Sequence, residues 1–334
     1  MKFGITYTLK DHELDTRHLP DDWQEELDSP VTIDAIAQVL AKMGHEVVKL
    51  GDGPDLIQLL GREKPDMVFN LAEGRGVSRS REAWVPSILE MLGIPFTASD
   101  PLTCAVTLEK DYAKRLAAAA GVQVPPGVVL QPGDPLPDPH SLGLTYPLLI
   151  KPAWEGSSKG IRLRCLVHQP NELLAVIKEV RGDYAQPVLI EEFIQGDEVT
   201  VGLVGNGQEL ACIGMMHIQP KQHNNHFIYS LEVKRDWENQ VTYHSPPNLP
   251  ATVLEKTANA AKQAFLALGC RDLARADFRI RNGIPYFIEI NPLPGLNPDY
   301  SDLVILSRQM GIDYESLIKS IVEAALKRCQ SSLK

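Results

Sequence analysis

No run of this chain approaches the roughly 18 consecutive apolar residues that a membrane span requires. Nor do its 334 residues contain the dense lysine and arginine cluster that nucleic-acid binding needs. The balance is acidic, with a formal net charge of -10, so any attraction to phosphate must be local. A basic stretch followed by an apolar core, the mark of a secretory signal, is missing from the first residues. Cysteine is scarce: Cys104, Cys165, Cys212, Cys270 and Cys329 are widely spaced and form no C-x-x-C pair. That disfavours a disulfide framework and favours inert thiols in a reducing compartment. His217, His223 and His226 share a polar stretch without metal-ligand spacing and read as solvated rather than zinc-bound. Two phosphate signatures are absent too, G-x-x-x-x-G-K-[ST] and a G-x-G-x-x-G that opens a helix after a strand. Membrane and nucleic-acid partners are therefore not expected, and a cytoplasmic location is.

What is present concentrates in three segments. The first is Leu273-Ala-Arg-Ala-Asp-Phe-Arg-Ile-Arg-Asn-Gly-Ile-Pro-Tyr-Phe-Ile-Glu-Ile-Asn291, two strands around a turn. Side chains alternate across a strand, so Arg275 and Asp277 share one face of the first strand, and Glu289 and Asn291 one face of the second. Register stays open. A two-residue loop at Asn282-Gly283 pairs Asp277 with Ile288 and separates the carboxylates, whereas a three-residue loop starting at Arg281 pairs Asp277 with Phe287 and sets it diagonal to Glu289. In the second case two carboxylates and an amide oxygen converge as hard ligands for Mg²⁺, which also takes nucleotide phosphates.

The second segment, Leu148-Leu-Ile-Lys-Pro-Ala-Trp-Glu-Gly-Ser-Ser-Lys-Gly160, reads as a strand that ends in Lys151, then a turn-rich loop before another short strand. Gly156 and Gly160 permit close backbone approach, and Ser157 and Ser158 offer donors to phosphate oxygens. A lid over a triphosphate fits this pattern, as does an ordinary hairpin turn. The third, Val188-Leu-Ile-Glu-Glu-Phe-Ile-Gln-Gly-Asp-Glu198, puts acidic groups at a strand end. There they can accept from ribose hydroxyls while exposed backbone reads an adenine amino group.

Periodicity supplies the frame. Strands are expected over 2–7, 46–50 and 66–70, with a helix over 30–43 that Ser29 caps and Gly44 stops, and a short helix near Asp55. Further helices are expected over 81–92, 107–120, 171–180 and 252–268, with two more at the end. At 44% hydrophobic and 23% charged residues, the chain can bury two or three cores. The expected class is α/β with α+β lobes, divided into a doubly wound N-terminal lobe over 1–105, a central lobe over 106–195 and a last lobe over 196–334.

A lysine with a Gly-rich loop, then Glu-Glu-x-x-x-Gly-x-Glu, then Asp and Glu-x-Asn, in this order, resembles the ATP-grasp superfamily and within it the D-alanine:D-alanine ligase family. Val68-Phe-Asn-Leu, Leu89-Glu-Met-Leu-Gly-Ile-Pro-Phe-Thr97, Leu108-Glu-Lys-Asp-Tyr-Ala-Lys114 and Pro294-Gly295 extend the likeness over most of the chain. The resemblance implies the ATP-grasp fold, with ATP between the central and last lobes. Lys110 and Lys151 would contact the nucleotide, and residues 155–160 (Glu155, Gly156, Ser157, Ser158 and Gly160 among them) would cover its phosphates. Glu191, Glu192 and Ile194 would hold adenine, Glu198 the ribose, and Asp277, Glu289 and Asn291 two Mg²⁺ ions. In such ligases ATP converts a carboxylate to an acyl phosphate, an amine attacks, and phosphate leaves. Arg275 and the Gly295 amide resemble the oxyanion donors of that step, and Lys234 is carried over as catalytic. The family also implies a homodimer.

The chain departs from the family where substrates are chosen. Ile5-Thr-Tyr-Thr-Leu-Lys-Asp-His-Glu13 stands where the family has a Gly-Gly-x-x-x-Glu-x-x-Val-Ser segment that grips the first substrate's amine. Arg235 replaces a tyrosine that contacts substrate, offering a planar fork for a carboxylate. The stretch from Leu296 through Asn297 to Ser301 is one residue longer than its counterpart, with Ser301 as the carboxylate contact. Residues 73–82 replace a His-Gly loop. There Glu73 and Arg81 are assigned to substrate, and Arg75 and Arg79 to solvent. The expected activity is an ADP-forming carboxylate-amine ligase acting on amino acids or small carboxylates. A secondary-metabolite amino-acid ligase and a phosphotransferase of the same fold remain alternatives.

Overall fold

The structure, a computed structural model, describes residues 1–11, 13, 19–222 and 226–331; His223 lies outside them. The first layer is a parallel sheet, β1 (Lys2–Tyr7), β2 (Glu46–Lys49) and β3 (Met67–Leu71), in the order β2-β1-β3. Its strands are apolar on both faces because helices cover both. On one side α1 (Pro30–Lys42) packs Ile33 and Ile36 onto Phe3 and Ile5. On the other, α2 (Leu56–Glu63) and α3 (Trp84–Met91) bring Leu60 and Leu89 to Val68. Ser29 stands at the expected cap of α1 but makes no capping bond; its hydroxyl accepts instead from Asn297 Nδ2 at 3.2 Å, and Pro30 opens the helix. The helix expected over 81–92 begins as a short 3-10 turn, Arg81–Ala83.

The helix expected over 107–120 is two, α4 (Pro101–Leu108) and α5 (Lys110–Ala119). Glu109 between them is extended, at φ -82° and ψ 95°. Tertiary contacts impose the break: Lys110 N donates to Ala153 O at 3.1 Å and the Glu109 carboxylate accepts from the Trp154 indole.

A second, antiparallel sheet has the order β4-β7-β5-β6, from β4 (Gly127–Leu130), β5 (Leu148–Pro152), β6 (Leu166–Val167) and β7 (Val188–Glu192), with α6 (Pro170–Tyr184) on its apolar face. The third contains β8 (Asp197–Val204), β9 (Ala211–Pro220), β10 (Val241–His244), β11 (Leu273–Arg281) and β12 (Ile284–Asn291), ordered β10-β9-β8-β11-β12. Short helices α7 (Leu231–Arg235) and α8 (Trp237–Gln240) precede β10, and α9 (Ala251–Ala267) packs on the sheet. Along β11, Ala274, Ala276 and Phe278 face Ala261, Ala264 and Phe265 of α9, so Arg275 and Asp277 face the other way. After α10 (Asp302–Gln309), the last helix α11 (Tyr314–Ser331) turns back, and its Leu317, Ile318 and Ile321 share a core with Phe3 and Ile5 of the first sheet.

Candidate active site

The hairpin follows neither register weighed from the sequence. Arg281 pairs with Ile284 around Asn282 and Gly283, both at positive φ, so the loop has two residues. A bulge then leaves Ile288 unpaired, and Asp277 lies directly opposite Glu289, with Arg275 opposite Asn291. The extra residue undoes the separation that a two-residue loop would otherwise cause.

Four groups thus meet on one face. Arg275 donates to Asp277 from Nε at 3.2 Å and from Nη2 at 2.9 Å, and its Nη1 lies 3.5 Å from Asp302 Oδ2. Burial opposes the Arg275 charge, but Asp277 and Asp302 overcome it and hold the guanidinium firmly protonated. The Asn291 amide reaches Asp277 Oδ2 at 3.5 Å. Glu289 accepts from Lys110 Nζ at 2.7 Å, and the same ammonium donates to Glu155 O at 2.5 Å. Burial raises the Glu289 carboxyl, yet Lys110 and Lys151 outweigh it and keep the group ionised far below the ordinary range.

Across the cleft, Lys151 at the end of β5 lies 2.6 Å from Glu191 Oε1, and Lys114 of α5 binds the other oxygen. Burial, reinforced by Lys110, pushes the Lys151 ammonium down to about 7, and burial drives Lys114 down as well. Lysines packed this closely suit a polyanion that would restore their charge. Ser158, Ile194, Glu198, Lys234 and Asp277 line the same cleft as Lys151, with apolar walls from Leu149, Phe193, Ile218 and Ile228.

The loop after β5 folds over this cleft through a turn in which Lys159 N donates to Gly156 O at 2.9 Å, with Ser157 and Ser158 both at positive φ. Ser158 Oγ donates to Tyr229 O at 3.0 Å. Gly160 is at φ +72°, and a Cβ there would meet Pro152 Cγ at 2.5 Å. Glu155, assigned to phosphate covering, is instead fully buried beneath the loop, between Lys159 at 2.7 Å and Arg81 at 3.1 Å. Arg81, assigned to an anionic substrate, is spent on Glu26 and Glu155 and on the Trp154 carbonyl. A group missed from sequence completes this layer. Asp22 accepts from Gly160 N at 2.9 Å and from the Tyr184 hydroxyl at 2.7 Å, and Glu26 binds Lys159 at 3.0 Å.

Other assigned residues lie around this centre. Glu191 backbone is paired on both sides within its sheet, to Gly127 and to Leu149, so it is not at a free strand end. Glu192 accepts from Thr145 N at 2.9 Å. Glu198 is ion-paired to Arg279 at 2.8 Å, and Arg279 lies over the Phe193 ring at 4.5 Å. Lys234 Nζ stands 5.1 Å from the Tyr229 ring centre. Gly295, Asn297 and Ser301 border a further cavity with Arg275 and Lys234, where Ser301 Oγ accepts from Asn297 N at 2.9 Å. Arg235 also borders it, but its fork is taken by Asp21 at 2.7 Å and Glu25 at 2.8 Å rather than left open for a carboxylate. Arg75 donates to Leu9 O at 2.8 Å, and Arg79 lies over the Tyr112 ring. His217 is 3.5 Å from Asp197, and His226 packs against His168 and Phe193.

Comparison with known proteins bears on the same arrangement. Residues 116–323 match the family model described as D-ala D-ala ligase C-terminus. An uncharacterized protein y4sG of Sinorhizobium fredii is 33% identical over 310 residues, 88% of this chain and 87% of its own. The D-alanine–D-alanine ligase of Geotalea uraniireducens is 34% identical over 292 residues, 87% of this chain and 88% of its own. A crystal structure of D-alanine–D-alanine ligase from Bacillus anthracis complexed with ATP matches 99% of both chains at a TM-score of 0.76 and 22% identity, a likeness of fold. The chain therefore belongs to the D-alanine–D-alanine ligase family, and it is an ATP-dependent carboxylate-amine ligase with the ATP-grasp fold.

Proposed function

We propose that the protein activates the carboxylate of an amino acid with ATP, joins it to the amine of a second amino acid, and releases ADP and phosphate. The observation that carries this reading is the Asp277–Glu289 pair, set opposite by the bulge and flanked by Arg275, facing the buried lysines 110 and 151. Lys151 and Lys110 draw the triphosphate into the cleft and offset the charge of the transferred phosphoryl group, a step governed by positioning and electrostatics. Ser157 and Ser158 cover it. Phe193 and Ile194 flank the adenine, and Glu198 receives the ribose. The hard oxygens of Asp277, Glu289 and Asn291 on one ribbon face fit two Mg²⁺ ions, which supply further charge neutralisation. Arg275 and the Gly295 amide hold the oxyanion that forms when the neutral amine nitrogen attacks the acyl carbon. As the carbonyl re-forms, the acyl C–O bond breaks, its electron pair leaves with phosphate, and the proton lost by nitrogen passes to the departing phosphate or to solvent. Lys234 neutralises charge beside them, and Asn297 and Ser301 hold the second substrate's carboxylate.

The names of the relatives make D-alanine a first candidate for either position. Three lobes, 1–105, 106–195 and 196–334, are the moving units in this reading, and ATP consumption suits the expected cytoplasmic location. Exposed Trp84, Met91, Leu102 and Leu116 on the adjoining helices α3, α4 and α5 support a homodimer. The test is phosphate release from pairs of amino acids with Mg·ATP, with the product identified by mass spectrometry. An amide with ADP and free phosphate is expected; a stable phosphorylated substrate would replace the ligase reading with a kinase.

A further inference from the structure

A second cavity adjoins the reaction centre on the side of the first sheet. Glu26, Asp28, Glu73 and Glu82 line it, together with Arg275 and Gly295. It lies beyond the carboxyl ends of the parallel strands, where open α/β sheets receive ligands: Glu73 follows β3, Glu82 sits in the turn before α3, and Asp28 precedes α1.

The charge count here does not close. Glu26 and Glu155 are matched by Arg81 and Lys159, and Arg275 is matched by Asp277 and Asp302. Among the described residues, Asp28, Glu73 and Glu82 have no side-chain hydrogen bond or ion pair, although Glu82 is only 6% exposed and borders the cavity. A carboxylate left buried without a partner, as Glu82 is, is costly and asks for a cation from outside the chain, and the half-buried Asp28 and Glu73 border the same cavity. One α-ammonium brings a single positive charge to these three carboxyls. Among the described residues, these three carboxyls are not grouped as the ligands of a metal ion.

We propose that the substrate whose carboxylate is activated carries a second cationic group, as basic amino acids do, and that Glu82, Glu73 and Asp28 receive it. This rests on the ligase reading and names its substrate class. Their surroundings shift these same carboxyls upward. Burial pushes Asp28 up to about 7 and Glu82 up to about 8, and burial with the adjoining carboxylates raises Glu73 well above its ordinary value. An ammonium among them would reverse these shifts.

The test uses the full chain with Mg·ATP, alanine as acceptor, and lysine, ornithine, norleucine or alanine, of either hand, as the activated substrate. Lysine or ornithine should be used with kcat/KM at least about tenfold above norleucine, which keeps the length and lacks the amine. Glu82→Gln, of the same shape, should raise KM for the basic substrate roughly thirtyfold or more, the cost of losing one partner of a buried charge pair, with KM for ATP unchanged. Glu73→Gln is the second variant, should the first fold poorly. Equal use of norleucine and lysine, or a basic-to-neutral preference that survives both variants, would overturn the proposal. Calorimetry of lysine against norleucine, with a non-hydrolysable ATP analogue present, separates the two readings. Selective lysine binding without any ADP release would remove the ligase reading alone, and equal or absent binding of both would remove this one.

Discussion

Arg275 holds Asp277 with two donors and points a third toward Asp302. Arg275→Lys keeps the charge but loses the planar fork. Amide formation should fall by about a hundredfold or more, the cost of one oxyanion donor, while calorimetric affinity for the ATP analogue stays near normal. Equal losses in both would count against the role. Glu82 carries a second expectation. Burial, which Arg81 only partly opposes, lifts its carboxyl from 4.5 to about 8. Between those values the folded protein binds a proton that the unfolded chain has released. The stabilisation is therefore full below 4.5 and is lost as pH rises through about 8. Thermal melts across this window should show a falling Tm that flattens in Glu82→Gln; an unchanged slope would mean that Glu82 stays ionised. At this scale the sequence was legible where chemistry rode on alternation, as with Arg275 and Asp277. It was silent for Lys114, Glu26 and Asp22, whose partners Glu191, Lys159 and Gly160 lie 77, 133 and 138 residues away and leave no local trace.

The glycine loop after β5 and the hairpin of β11 and β12 do most of the positioning. Gly160 combines φ +72° with a Pro152 ring 2.5 Å from where a Cβ would stand. Gly160→Ala should cost about 1 kcal/mol from the backbone alone, plus the clash, and should raise KM for ATP more than KM for the amino acids. Equal changes in all three would place the loop away from the phosphates. Asp22→Ala strands the Gly160 N–H and the Tyr184 hydroxyl, at about 1–3 kcal/mol for each buried group left unpaired. Asp22→Asn keeps an acceptor and should recover much of the loss in a thermal melt; no recovery would mean that the charge, not the bond, matters. Composition marked both turns. The bulge at Ile288 was not legible, because alternation fixes the faces within a strand and says nothing about one residue dropping out of the ladder. The break at Glu109 escaped for a similar reason: a helical pattern runs through it, and only Ala153 and Trp154 explain it.

For the molecule as a whole, α11 closes the chain onto its beginning. Leu317, Ile318, Ile321 and Val322 are fully buried against the first sheet, each worth about 1.5–3 kcal/mol. Removal of residues 313–334 should therefore cost more than most domains have to spare, leaving no cooperative melt; a normal transition would mean the first sheet holds itself. Sedimentation of the intact chain tests the proposed homodimer, and Leu102→Asp should shift it toward monomer. The order of motifs along the chain was enough to imply the fold. The return of the C-terminal helix to the first sheet was not, since amphipathic periodicity shows that a face is buried but not against what.

The stretch from Asp21 to Glu26 belongs to the first sheet's side, yet it is fastened to the glycine loop through Asp22 and Glu26, and to α7 through Asp21, Glu25 and Arg235. In the proposed reading, nucleotide and amino acid are both reached past this one strap. Unfastening it would open both proposed subsites together, so weakening the strap should speed the exchange of nucleotide and amino acid in parallel.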